Sequence, residues 1–440
     1  MAIAPQTLWL KLGAAALAFA VVFLALRALD GSSSTPRIEA ADVAARESIP
    51  PTASTDERIE ALQAQVRSAP SDPEGYGALG LTYLQKVRES GDPSFYPKAE
   101  GVLDDALSRS PENFTATSGL GSLALARHEF DEALDLGLRA RRLNPTIPRN
   151  YAVIADAQIE LGRYAAAERT LQRWVNLKPE LSSYARISYF RELHGDLRGA
   201  LEAMRLAVSA GGDTTESFSY VRTLVGTLQL DRGAYAAAEH AYREVLNVDP
   251  AYPPALAGLA RVEAGRGEYG SAIARYREVV ERLPLPEYVI ALGEVEEAAG
   301  KAGAARGDYA LVEAQTRLLR ANGVNTDVDL ALYEANHGDP RQAVELGRRA
   351  WRAAPSIRSA DAYGWALSAA GEDERALRMS RDAMRLGSRD PSFLYHAGMI
   401  ARRAGRAPEA RQLLGRLVAQ SPRFSPLYAP RAERTLEELG

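Results

Sequence analysis

The sequence predicts an all-α protein, an α-solenoid of about ten helix-turn-helix repeats behind an N-terminal transmembrane helix. Three observations predict it. A frame of about 34 residues recurs in phase between residues 73 and 423. Each frame holds two stretches of helical apolar periodicity with a small or glycine-bearing turn between them, and a proline or glycine stop at its end. Residues 8–29, LWLKLGAAALAFAVVFLALRAL, are apolar except for Lys11 and Arg27.

In chain order, residues 1–7 are a short tail and 8–29 a signal anchor. As a helix these 22 residues span roughly 33 Å, the thickness of a hydrocarbon core. Lys11 and Arg27 then snorkel to the two interfaces, and Trp9 sits at one of them. A cleaved signal peptide is the rival reading, but only Gly31-Ser32-Ser33 offers small residues behind the apolar run, so an uncleaved anchor is expected. Lys11 and the α-amine balance Arg27 and Arg37, so positive charge does not choose the orientation. A short tail before a large domain suggests a single-pass protein of the cell membrane with its repeats outside the cytoplasm. Residues 30–54, rich in Ser, Pro and charge, cannot bury a core and read as a flexible linker.

Residues 55–72 contain a lone helix, Asp56–Arg67, with Ile59, Leu62 and Val66 on one face. The repeats follow over 73–423, starting near residues 73, 114, 148, 181, 219, 253, 286, 324, 357 and 391. Alanine stands where the two helices of a repeat must cross closely: Ala99, Ala133, Ala167, Ala200, Ala238, Ala272, Ala305, Ala343, Ala376 and Ala410. Glycine occupies the turn in eight repeats, from Gly162 to Gly405 and including Gly338, where a left-handed residue ends the first helix. His194 and His337 precede turn glycines and are expected to cap helix carbonyls. Thr326 and Asp329 read as a capping box. The seventh repeat runs on as LVEAQTRLLRANG, a lengthened second helix, and residues 424–440 supply a polar capping helix. In such an array each repeat is expected to touch only its neighbours.

This frame resembles the tetratricopeptide repeat, whose signature has an aromatic, Leu-Gly, Tyr, Ala, aromatic, Ala and Pro at these offsets. The resemblance implies a superhelix whose first helices line a concave groove that binds a peptide or protein. Carried over repeat by repeat, the groove positions fall on Tyr189, Glu192, Tyr220, Asp231, Arg261, Asp361, Trp365, Tyr395 and Arg402, among others. No lysine stands at any of them, unlike the repeat domains that clamp chaperone C-terminal carboxylates. Trp365 and Tyr395 are expected to form an exposed aromatic anchor, flanked by Asp361 and Arg402. The segments NGVNTDVDLALYEANHGDP and YHAGMI also look like a group of membrane-anchored bacterial repeat proteins, which brings no activity with it.

Composition excludes much else. There is no cysteine, hence no disulfide, thiolate metal site or thiol nucleophile. A net charge of −4 argues against nucleic acid as the partner. The five histidines are scattered, none three or four residues from another, and no catalytic or phosphate-binding motif is present. No enzyme activity, metal or cofactor is therefore expected. The leading reading is a membrane-anchored interaction scaffold that binds a protein or extended peptide. The alternative is an assembly chaperone, because the anchor, spacer, helix and repeat layout is similar to the repeat factors of c-type cytochrome maturation.

Overall fold

The computed structural model describes residues 53–211 and 214–440. The expected anchor over 8–29 and nearly all of the linker lie outside them. Among the described residues there are 22 α-helices and no strand, and no helix is long and apolar enough to cross a membrane. The helices fall into antiparallel pairs because each crossing position holds alanine. All ten of these alanines are 0–2% exposed, and a larger side chain at any of them would force the two axes apart.

The turns follow from backbone chemistry. Glycines 162, 195, 233, 267, 300, 371 and 405 all have φ between 69° and 80°, the left-handed region that a side chain disfavours. His128 takes the same place in the second repeat with φ 62°, where its Nδ1 lies 2.6 Å from the Asn325 carbonyl oxygen. Two expectations are corrected here. Gly338 ends its helix with φ −127° and ψ −136°, not left-handed. Thr326 has φ −111° and ψ 17°, outside the extended backbone usual at a helix start, and its side chain makes no cap bond there. By contrast His194 does cap, its Nδ1 lying 2.8 Å from the Phe190 carbonyl oxygen.

The chain divides into two compact units. The first contains residues up to Ala157 together with Leu318–Asn325. The helix Thr55–Ser68, held at its start by a Ser54–Glu57 capping box, lays Ile59 and Leu62 on Leu79 and Tyr83 of the first repeat. Leu319 and Val324, from the end of the long helix Ala302–Ala321, fill the same cluster beside Tyr83, Val87 and Tyr96.

The second unit contains Gln158–Arg317 and Thr326–Gly440. Here repeats touch others far along the chain, and the nearest-neighbour expectation is corrected. The turns of the third, fourth and fifth repeats lie on the loops that follow the eighth, ninth and tenth. A Cβ on Gly162, Gly195 or Gly233 would run into the carbonyl of Pro355, Gly387 or Gln420 respectively. The Ile357 N–H donates to the Tyr164 hydroxyl at 2.8 Å, and Gln420 Nε2 donates to the Asp231 carbonyl at 2.9 Å. Apolar side chains seal the seam: Tyr164, Phe190 and Leu193 on the turn side pack with Ile357, Leu386 and Phe393 on the loop side.

Candidate functional site

Helical periodicity places one row of each first helix away from its own second helix. In the second unit this stacking brings such rows together from repeats distant in sequence. Glu192 and Asp231 of the fourth and fifth repeats meet Arg358 and Asp390 of the ninth and tenth. Burial pushes the Glu192 carboxyl up to about 8, helped by the Asp231 and Asp390 carboxylates and opposed by Arg358. Burial likewise pushes Asp231 up to about 6, against the pull of Arg261, whose Nη2 stands 3.3 Å away. Asp390 is also raised by burial, while it accepts from the Ser392 and Phe393 N–H groups at the start of the helix Pro391–Arg403. Tyr189 stands between Arg358 and Glu160, its hydroxyl 3.4 Å from Glu160 Oε1. The arrangement is a patch of partly neutralised carboxyls held around two arginines.

Trp365, Tyr395 and Asp361 were expected at the open groove surface; the structure places them in the core. They are 9%, 1% and 4% exposed. His396 lies between them, stacked on Trp365 at 4.4 Å with 19° between the planes, and its Nδ1 is 2.8 Å from Asp361 Oδ2. Trp365 Nε1 donates to Asn336 Oδ1 at 2.8 Å. Tyr395 packs in turn on Tyr428, 5.3 Å away, which leads into the last helix, Ala429–Glu438. An indole with a bonded N–H on one edge and a ring stacked on its face is an interior group. Arg402 stays exposed but is tied to Glu438 at 2.5 Å. Tyr220 is half-buried close to Tyr252. Of the expected lining, Tyr189 and Arg261 therefore join one cluster with Glu192 and Asp231, whereas Asp361, Trp365 and Tyr395 form a separate buried one.

A second polar cluster adjoins the aromatic one. Glu294 Oε1 receives the Tyr428 hydroxyl at 3.4 Å and lies 3.3 Å from His337 Nε2, which corrects the expected role of His337 as a helix cap. Tyr309 covers the His337 ring at 4.4 Å. Sequence reasoning missed His396, Asn336 and Asp390 as parts of this architecture. The one available signal was Asp390-Pro391 at a helix start. Among the described residues no group of His, Asp and Glu side chains is arranged to hold a metal ion.

Residues 94–147 and 229–295 match models of the tetratricopeptide-repeat family, so these stretches carry that repeat. It is 25% identical over 268 residues to the BBSome complex member BBS4 of Bos taurus. That match covers 57% of this chain and 47% of the relative, so the chain spans about half the length of that protein. Among solved structures it is similar to PilW, a type IV pilus biogenesis factor, at 18% identity and TM-score 0.38, over 47% of this chain and 97% of that one. It is similar also to MamA at 16% identity and TM-score 0.30, over 39% of this chain and 92% of the other. Likenesses this distant say nothing of what the chain binds.

Proposed function

We propose that this protein is a membrane-anchored interaction scaffold that binds a protein or extended peptide along the first helices of its second unit, over the patch around Tyr189, Glu192, Asp231 and Arg261. One observation carries the reading: charged groups from six separate repeats converge there, and raised carboxyls held beside arginines are what a partner's basic and polar groups can pair with. Half-buried first-helix residues such as Tyr220 extend the surface, and the Trp365–His396–Asp361 core holds the helices behind it. The relative's description as a member of a complex agrees with a scaffold's role. The apolar run over residues 8–29 supports the anchor, and its position ahead of the linker supports repeats outside the cytoplasm. The test is a photo-crosslinking amino acid at Tyr220 or Arg261 in intact cells. A discrete adduct absent when the probe stands at Arg243, on a second helix, is expected; the same adducts from both positions would remove the site.

A further inference from the structure

Position by position, the repeat frame shows which surfaces this chain covers and which it leaves bare. Ten residues after the crossing alanine, at the end of the second helix, stand Leu177 in the third repeat, Val248 in the fifth, Leu386 in the ninth and Gln420 in the tenth. Leu386 is packed among Tyr189, Phe190 and Leu193, because the turn of the fourth repeat lies over it. Gln420 is held by the turn of the fifth, through the Asp231 carbonyl. Leu177 and Val248 have no turn above them and are 46% and 53% exposed. Leu206 and Val208, near the end of the fourth repeat's second helix, and Phe218, near the start of the fifth repeat, are exposed as well. Five of the six large hydrophobic side chains exposed among the described residues thus fall in the third to fifth repeats.

The opposite half of the same contact is bare as well. Gly162, Gly195 and Gly233 each abut a loop carbonyl, whereas a Cβ on Gly267, Gly371 or Gly405 would meet nothing within 4 Å among the described residues. These turns have the same left-handed backbone as the covered ones. We infer that the loop edge of repeats three to five, centred on Leu177 and Val248, is a self-association surface whose occupant is the free turn edge, at Gly267, Gly371 and Gly405, of a second copy of this chain. The contact continues a seam that the second unit already makes three times, so both halves have the shape and backbone chemistry for it. Being heterologous, with a different surface on each copy, it builds rings or open chains of molecules and not two-fold symmetric pairs.

The test uses the full chain in mild detergent, by sedimentation velocity over a range of micromolar concentrations. Wild type should show species that grow with concentration. Leu177→Asp with Val248→Asp should weaken association tenfold or more while leaving helicity and melting unchanged, since both side chains are exposed. A wild type that stays monomeric, or association that survives the double substitution, would overturn the inference. Because the chain has no cysteine, single-cysteine variants report the geometry. Val248→Cys mixed with Arg406→Cys should crosslink through a bis-maleimide, and neither should crosslink alone. Self-crosslinking of Val248→Cys would overturn the turn edge as occupant. So would a monomer whose Val248→Cys thiol is shielded from maleimide, which would assign the cover to residues 1–52 instead.

Discussion

Trp365 is held on three sides, by the Asn336 side-chain oxygen, the His396 ring and Tyr395. Trp365→Ala should therefore cost about 3–5 kcal/mol in urea unfolding, as truncation of a core aromatic does. A cost under about 1 kcal/mol would return the ring to the surface. The carboxyls make a prediction of their own. Glu192 and Glu287 are both pushed up to about 8 by burial, and Asp231 to about 6. At low pH these groups are protonated in the folded and the unfolded chain, and burial carries no charge penalty. As pH rises past the ordinary carboxyl range the unfolded chain ionises first, so stability falls until the folded groups have ionised too. The melting temperature should fall between about pH 5 and about pH 9, and Glu192→Gln should flatten part of that slope. A melting temperature that rises over this range would show that these carboxyls are not held in buried surroundings.

At the scale of turns and helices, the glycines separate two requirements. Gly195 and Gly405 share a left-handed backbone, with φ 73° and 72°, but only Gly195 lies against another loop, at Gly387. Gly405→Ala should cost roughly 1–2 kcal/mol, the conformational penalty alone. Gly195→Ala should cost clearly more, because its methyl group collides with a backbone carbonyl that cannot turn away. Denaturant unfolding of the two variants compares them directly, and equal costs would show that the seam does not bear on that turn. The helix Ala302–Ala321 has a related logic: its added length carries Leu319 into a cluster with Tyr83 and Tyr96, which accounts for the departure from the repeat length.

For the molecule, the seam changes how unfolding should spread. An array with contacts only between neighbours melts in segments. The second unit also ties repeats three, four and five to eight, nine and ten, so losing one repeat loosens its partners at both distances. Ala272→Trp, at a crossing alanine that is 0% exposed, should destabilise by about 1–3 kcal/mol through overpacking. In hydrogen exchange the loss should appear across the second unit and not in the sixth repeat alone. Protection lost only over residues 253–284 would mean that the seam adds no cooperativity. The proposed topology is tested on the same scale. Protease added to intact spheroplasts should digest the repeats, and digestion only after lysis would place them in the cytoplasm.

Local chemistry made the repeats readable. Alanine at ten crossings and glycine at most turns are steric requirements that recur at a fixed spacing, so helix pairs and their order were legible without coordinates. The groove was legible only in part. A residue's place in the frame says which side of its own helix it occupies, and Tyr189, Glu192, Asp231 and Arg261 lie in one cluster. It does not say what comes to rest on that side. Trp365 stands at a groove position and is nonetheless buried, because His396 of the next repeat stacks on it and Asn336 of the previous one bonds its N–H. Likewise Leu386 and Val248 hold the same frame position, one covered and one bare. The difference lies in contacts between residues nearly two hundred positions apart, such as the Tyr164 hydroxyl and the Ile357 N–H. These depend on the accumulated rotation of one repeat on the next, to which every interface contributes a little, so no single stretch of sequence records it.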